Sequence, residues 1–140
     1  MSAEVRVLTA ADAALFDHIA DGVFDYAVQE RLVAEFLADP RHSLAVAIAD
    51  SLIVGMASGV RYVHPDKPSE LWINEVGVSP DYQRQGLAKR VVAELLAEGR
   101  RQGCHEAWVL TDFDNEAARA TYRSAGGVES GPQLMVTFPL

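Results

Sequence analysis

The segment from Leu71 to Leu110 constrains the fold of this chain more than any other. Residues 71–78 are rich in apolar residues and predict a strand, which Ser79-Pro80 ends. From Gly86 onward the apolar positions recur every three or four residues, as in a helix with one buried face: Ala88, Val91, Val92, Leu95 and Leu96. Ala107 to Leu110 is a second short apolar strand. A strand, a helix and a strand of this length predict a βαβ unit.

Two further helices are predicted in the N-terminal part. Thr9 and Asp12 have the spacing of a capping box, which predicts a short helix over about residues 10–20. Residues 26–39 carry their apolar side chains on one face, and Pro40 stops this pattern.

The middle of the chain predicts an antiparallel hairpin. Residues 44–49 and 52–63 are rich in small and β-branched residues, and Asp50-Ser51 joins them. The hairpin and the βαβ unit together predict a mixed, mostly antiparallel sheet with helices on both faces, which is an α+β fold.

The C-terminal part predicts one more helix and one more strand. The helix covers about residues 115–124, and Gly126-Gly127 breaks the chain after it. The last strand is predicted near Leu134 to Phe138, where apolar residues dominate again.

Composition narrows the class of protein. The chain has 140 residues, of which 49% are hydrophobic, so we expect a single domain over residues 1–140. Its net charge of −8 disfavours nucleic-acid binding, and no apolar run or leader pattern predicts a membrane protein. The single cysteine and four scattered histidines predict no metal site. We therefore expect a cytoplasmic protein that binds no nucleic acid, membrane or metal.

The turn before the central helix is the first candidate site. A strand that passes through a glycine into a helix exposes several backbone N–H groups, and the helix dipole adds positive charge there. Arg84 supplies a formal charge, so the turn is suited to a pyrophosphate. It lacks the residues of a P-loop and of the three-glycine dinucleotide fingerprint, which disfavours ATP and NAD. The alternative is a tight connection with no ligand.

Two motifs carry a resemblance to a known family. Gln83-Arg84-Gln85-Gly86-Leu87-Ala88 fits the pattern Gln/Arg-x-x-Gly-x-Gly/Ala, and Asn115-x-x-Ala118-x-x-x-Tyr122-x-x-x-Gly126 follows it. Together they resemble the GNAT superfamily of acyl-CoA-dependent N-acyltransferases, from the hairpin through Gly127. The resemblance implies that acetyl-CoA is the co-substrate. Family members commonly have Gly-Phe where this chain has Gly126-Gly127, which loosens the expected packing of the last strand.

The resemblance also implies roles for individual residues. The backbone of the turn would hold the pyrophosphate of acetyl-CoA, and the end of the preceding strand would pair with pantetheine and place one N–H at the thioester oxygen. Asn115 would lie beside pantetheine, and Tyr122 would protonate the departing thiolate. The cofactor residues implied are Val76, Gly77, Val78, Gln83, Arg84, Gln85, Gly86, Leu87, Ala88, Lys89, Asn115 and Tyr122. In the alternative, Tyr122 only packs in the core.

The acceptor amine must lose a proton before it attacks, so a base is needed near the predicted strands. Glu75 is the first candidate, as catalytic base and substrate-binding residue. Asp112 and Asp114 are the next candidates for the base, and both are also substrate-binding candidates. Acidic residues also suit a helix N-terminus, so capping explains Asp112 and Asp114 equally well.

The identity of the amine stays open at this point. Residues 64–78 together with Thr111-Asp112-x-Asp114-Asn115 resemble aminoglycoside 3-N-acetyltransferases. A polycation would be attracted by a protein of net charge −8. The alternatives are a protein, peptide or polyamine N-acetyltransferase, and a non-catalytic acyl-CoA-binding domain. The resemblance also implies a homodimer.

Overall fold

The computed structural model describes residues 3–140 and contains one five-stranded sheet. The sheet has the order β1-β2-β3-β4-β5, and β4 and β5 run parallel while the other neighbours run antiparallel. The strands are β1 (Glu4–Val7), β2 (His42–Ala49), β3 (Leu52–Tyr62), β4 (Glu70–Val78) and β5 (Glu106–Val109). Residues 1 and 2 of the predicted domain lie outside the described residues.

Helices cover both faces of the sheet, so the predicted α+β fold is confirmed. The α-helices are α1 (Glu30–Ala38), α2 (Leu87–Arg101) and α3 (Glu116–Ser124), and two 3₁₀ helices cover Ala10–Asp17 and Pro80–Tyr82. One core lies between the sheet and α2, with α3 at its edge. A second core lies on the opposite face, under the first 3₁₀ helix and α1. The face covered by α2 is called the α2 face, and the other the α1 face.

The hairpin forms as predicted. Asp50 and Ser51 have φ values of 53° and 62°, as a two-residue type I′ turn requires, and Ala49 pairs with Leu52 beside them. The hydroxyl of Tyr82 donates to a carboxylate oxygen of Asp50 at 2.7 Å. This bond ties the second 3₁₀ helix, directly after β4, to the hairpin.

The first helix has the predicted cap but not the predicted form. The amide of Thr9 donates to Asp12, and the Thr9 hydroxyl accepts from the amide of Ala11. The helix is 3₁₀ and ends at Asp17, because the chain then bonds to β3 through His18, Ala20 and Ile53. The second helix, α1, begins at Glu30, four residues later than position 26.

The last strand is the prediction that the structure contradicts. Residues 125–140 contain no strand, and the apolar side chains from Leu134 to Phe138 are largely exposed. A strand requires a partner edge, and within residues 3–140 this segment pairs with no strand of the sheet. A cavity of about 270 Å³ lies between α2, α3 and β5, bounded by Gly126 and Gly127. The two glycines bring no side chain to fill it.

Asp12 is expected to contribute measurably to stability. It accepts two bonds at 3.1 Å from the Arg6 guanidinium and one at 2.7 Å from the Thr9 amide, and these contacts lower the pKa of its carboxyl. Asp12→Asn should reduce the free energy of unfolding by about 1–2 kcal/mol at neutral pH, measured by urea denaturation.

The pH dependence follows from the lowered pKa. The folded protein holds the charged form, so the contribution of Asp12 is present above the ordinary carboxyl pKa and is lost as the pH falls through the lower folded value. The difference between wild type and Asp12→Asn should therefore shrink on acidification. Asp17→Asn, at the other end of the same helix, is the control. An equal loss in both variants would contradict this account.

Candidate functional site

A bulge in β4 decides which side chains face which side of the sheet. Ser58 pairs with Glu75 and Gly59 pairs with Ile73, so Asn74 has no partner in β3. Before the bulge, Ile73 packs on the α2 face, and after it Val76 packs on the same face. Without the extra residue Glu75 would lie on the α2 face, because side chains alternate along a strand. The bulge places Glu75 on the α1 face.

A groove opens where β4 and β5 part. The parallel pairing ends at Ile73 and Val109, whereas β4 continues to Val78. Residues 74–78 therefore have a free edge toward the end of β5, within the described part of the chain. This edge is called the β4 groove.

The backbone groups of Val76 and Val78 point into the β4 groove. The amide of Ser79 donates to the carbonyl of Val54 at 2.9 Å, which makes these two residues a hydrogen-bonded pair. In an antiparallel ladder, hydrogen-bonded pairs alternate with non-hydrogen-bonded pairs. The backbone N–H and C=O of Gly77 therefore face β3, whereas those of Val76 and Val78 point away from it. Both valines therefore offer N–H and C=O groups to a ligand.

Gly77 has a different role from its two neighbours. Its Cα lies so close to the carbonyl of Val23 that a Cβ there would clash with it. It was predicted as a cofactor residue, and the structure places it on the α1 face with its backbone turned to β3. Its small size allows the segment around Val23 to pack against the sheet.

The turn before α2 presents N–H groups at one end of the β4 groove. Arg84 and Gly86 both have positive φ, at 63° and 77°, and α2 begins at Leu87. No side chain of the described residues caps this helix, so the first amides of α2 are available to an anion. Leu87 is buried and anchors the turn, while the side chains of the other predicted residues are exposed or partly exposed: Gln83, Arg84, Gln85, Ala88 and Lys89.

Gln83 also closes part of the groove. Its side-chain amide donates to the carbonyl of Val78 at 3.3 Å. The bond is long and the side chain is exposed, so a ligand that pairs with Val78 displaces it at small cost.

Asn115 caps α3, and the acidic residues before it do not. Its side-chain oxygen accepts from the amide of Ala118 at 3.1 Å. Asp112 and Asp114 are solvent exposed in the turn that follows β5. Helix capping thus explains Asn115 and not Asp112 or Asp114, and the carboxylates of these two residues remain accessible to a cationic ligand.

Tyr122 is half-buried on α3 and packs against the core of the α2 face. Burial raises the pKa of its phenol. The hydroxyl therefore stays protonated at neutral pH, which is the form that donates a proton. Its packing in the core and a role as an acid are compatible.

Glu75 faces a pocket on the other side of the sheet. The pocket has a volume of about 230 Å³ and lies between α1, the segment before it and β3. Glu75 is the charged residue of its lining, which is otherwise mainly apolar: Phe16, Phe24, Ala27, Val28, Gln29, Leu32, Val33, Phe36, Leu44 and Ser58. This set is called the α1 pocket.

The site therefore has two sides, separated by β4. The anion-binding turn and Tyr122 lie with the α2 face, and Glu75 and the α1 pocket lie with the α1 face. The β4 groove lies between them and offers backbone donors. Sequence reasoning missed the α1 pocket, whose residues come from the segment 16–36 and from the strands β2, β3 and β4.

No helix in residues 3–140 is long and apolar enough to cross a membrane. Over the same range, no group of three or more histidine, cysteine or acidic side chains is arranged to hold a metal ion.

Comparison with known proteins gives matches along most of the chain. The family model described as acetyltransferase (GNAT) family matches residues 13–126. Mycothiol acetyltransferase of Paenarthrobacter aurescens (strain TC1) is 33% identical over 131 residues, which is 91% of this chain and 40% of that protein. N-alpha-acetyltransferase RimI of Mycobacterium tuberculosis is 37% identical over 90 residues, which is 64% of this chain and 54% of that protein. The chain thus spans about half the length of these curated relatives or less.

Solved structures share the fold at low sequence identity. An aminoglycoside acetyltransferase from an uncultured soil metagenomic sample, in complex with sisomicin, superposes with a TM-score of 0.81 at 16% identity, covering 99% of this chain and 96% of that one. A ribosomal-protein-alanine N-acetyltransferase from Brucella melitensis biovar Abortus 2308 gives 0.72 at 17% identity, covering 98% and 100%.

Proposed function

The chain belongs to the acetyltransferase (GNAT) family, and on that premise we propose that it transfers an acetyl group from acetyl-CoA directly to a primary amine. The observation that carries the proposal is the separation of Glu75 from Tyr122 by the β4 groove. A thioester in the groove would have a carboxylate on one side and a phenol on the other. Direct transfer requires a base and an acid in this arrangement.

The proposed cofactor site follows the groove. The turn from Gln83 to Lys89 binds the pyrophosphate through backbone amides, and the exposed Arg84 and Lys89 add charge. The backbone groups of Val76 and Val78 pair with pantetheine. Asn115 directs its remaining amide toward the same ligand, since its oxygen is used by the helix cap.

The proposed reaction proceeds through a tetrahedral intermediate. Glu75 takes a proton from the acceptor ammonium, directly or through a water, and the amine nitrogen then attacks the thioester carbon. The N–H of Val76 or Val78 stabilises the negative charge that forms on the carbonyl oxygen. When the intermediate collapses, the carbon–sulfur bond breaks and Tyr122 gives its proton to the thiolate. The nitrogen then loses its extra proton, which through water restores the phenol of Tyr122, and Glu75 releases the first proton to solvent. The products are the acetylated amine and CoA.

Charge favours a polycationic acceptor, and we propose an aminoglycoside. The net charge of −8 attracts such a molecule, and the exposed carboxylates of Asp112 and Asp114 follow β5 at the groove. A structural neighbour at TM-score 0.81 was solved with sisomicin, which agrees with this choice. We propose that the amine at position 3 of the aminoglycoside is acetylated, which is the position that 3-N-acetyltransferases modify.

We also propose that two copies associate and that residues 1–140 fold as one domain. The edge of β5 and the apolar tail from Leu134 to Phe138 are both unpaired in residues 3–140. Exposed strand edges and apolar segments of this kind favour association. The mass in solution, measured by light scattering, should be that of a dimer, and a monomer at all concentrations would contradict this.

Tyr122→Phe and Glu75→Gln test the proposed chemistry. Each should lower kcat by roughly 10²- to 10³-fold, because each removes one proton transfer, while the dissociation constant of acetyl-CoA stays within about twofold. The measurements are CoA thiol release and calorimetric binding. Burial raises the pKa of Tyr122, so the rate should show no loss from its ionisation until the pH exceeds about 10.

Tyr82→Phe is the matched control, since it removes a phenol that bonds only to Asp50 among the described residues. It should keep its rate. If Tyr122→Phe lost acetyl-CoA affinity and rate in parallel, the role as an acid would be wrong.

Gly86→Ala and Gly103→Ala form a second matched pair. Both glycines have positive φ, at 77° and 86°, and an added Cβ would touch nothing within 4 Å at either. Each substitution should therefore cost about 1 kcal/mol of stability through backbone strain alone. Only Gly86→Ala should raise the KM for acetyl-CoA, by about five- to tenfold, because one or two amide contacts are lost. An equal KM effect in both would argue against the turn as the pyrophosphate site.

The acceptor is identified by thiol release over a panel of aminoglycosides, polyamines and basic peptides. Saturable turnover on an aminoglycoside that is lost in Tyr122→Phe would support the proposal. Turnover confined to peptide N-termini would contradict it in favour of a protein acetyltransferase. If acetyl-CoA binds and no amine of the panel is acetylated, the aminoglycoside proposal is wrong, and an amine outside the panel or a non-catalytic binding domain is left.

A further inference from the structure

Two indole rings form a stack where β4 and β5 pair in parallel. Trp72 of β4 and Trp108 of β5 pair across the parallel strands, with ring centroids 5.0 Å apart and planes 11° from parallel. Trp72 is 39% exposed. A large apolar ring on an open sheet face is costly in water, so the pair is a candidate binding surface.

Hydrogen bonds hold this stack in place. The Trp108 indole N–H donates to the Tyr62 hydroxyl at 2.7 Å, and that hydroxyl donates to Glu70 at 2.9 Å. Glu70 is buried, and its carboxylate also forms an ion pair with the ammonium group of Lys67 at 3.1 Å. Every polar group in this chain of bonds has a partner, so Trp108 is held in place as the ring against which Trp72 stacks. We call Trp72, Trp108 and Tyr62 the aromatic platform.

The aromatic platform lies on the same sheet face as Glu75. Leu71 and Ile73 face α2, so Trp72 between them faces the opposite side. The bulge at Asn74 then returns Glu75 to that side, three residues further along β4. Their partners in β3, Val60 and Ser58, are two residues apart, so at about 3.3 Å per residue the two side chains are separated by roughly 7 Å along the sheet. One small molecule can reach both.

The charges around the platform are mainly acidic. Glu106 pairs with Glu70 across the strands and is exposed on the same face, and Asp66 is exposed in the loop before β4. Lys67, the cation beside them, is bonded to Glu70. An indole face attracts a cation through its quadrupole, and nearby carboxylates strengthen the attraction.

We propose that the exposed face of Trp72 holds a second cationic nitrogen of the acceptor while the nitrogen to be acetylated lies at Glu75. This rests on the proposed function and specifies its substrate class as di- or polyamines, amino sugars included, whose nitrogens can span roughly 7 Å or more. Trp108 and Tyr62 are positioning residues, because they act by holding Trp72.

The test compares 1,7-diaminoheptane with heptylamine, which has the same carbon chain and one nitrogen. The wild type should prefer the diamine in kcat/KM, mainly through a lower KM. Trp72→Leu should reduce this preference about 3- to 30-fold, and Trp72→Phe should keep part of it. Val63→Ala, a loss of another exposed apolar side chain near this face, should leave the preference unchanged.

Fluorescence gives a second readout that needs no catalysis. The chain has two tryptophans, and both belong to the platform, so the intrinsic emission reports its occupancy. Titration with 1,7-diaminoheptane in the absence of acetyl-CoA should change the emission saturably, and heptylamine should bind more weakly.

The outcomes separate this inference from the proposed function. Diamine binding without thiol release would contradict acetyl transfer and support the platform. Thiol release with an unchanged preference in Trp72→Leu would support acetyl transfer and overturn the platform. An emission that responds to neither amine would also overturn it, as would a preference for heptylamine.

Discussion

The bulge at Asn74 is the constraint on which the rest of the site depends. It reverses the alternation of β4 at the point where the strand loses its parallel partner, so Ile73 and Val76 share one face and Glu75 takes the other. The two faces of β4 therefore carry different chemical groups. The uncapped N-terminus of α2 and the phenol of Tyr122 lie on one side, and the carboxylate and the α1 pocket lie on the other.

The groove exists because the two parallel strands differ in length. β5 has four residues and β4 has nine, so within residues 3–140 the far half of β4 has no partner strand on its edge toward β5. An unpaired edge is usually a liability in a sheet. Here the turn at Gly86 and the N-terminus of α2 lie at its end, so the same edge gives a ligand backbone partners along its length and an anion site at its end.

Much of this arrangement could be predicted from the sequence, because it follows from local patterns. Three features depend only on residues close together in the sequence, and each was found in the structure: the helical period of α2, the hairpin turn at Asp50-Ser51 and the capping box at Thr9. The four-residue strand β1 was not predicted, since it is held by pairing with distant β2. The last strand was predicted wrongly, because alternation near Leu134 does not provide a partner edge. The face of Glu75 depends on the bulge; its signal was the shift of apolar residues from odd to even positions after Ile73.

The most direct test of the account is a crystal structure with a non-hydrolysable thioether analogue of acetyl-CoA. We expect the analogue in the β4 groove, with its acyl oxygen within hydrogen-bond distance of the amide of Val76 or Val78. Glu75 and Tyr122 should then lie on opposite sides of the acyl group. An analogue bound outside the groove, or with both side chains on one side of it, would contradict the division of the site by β4.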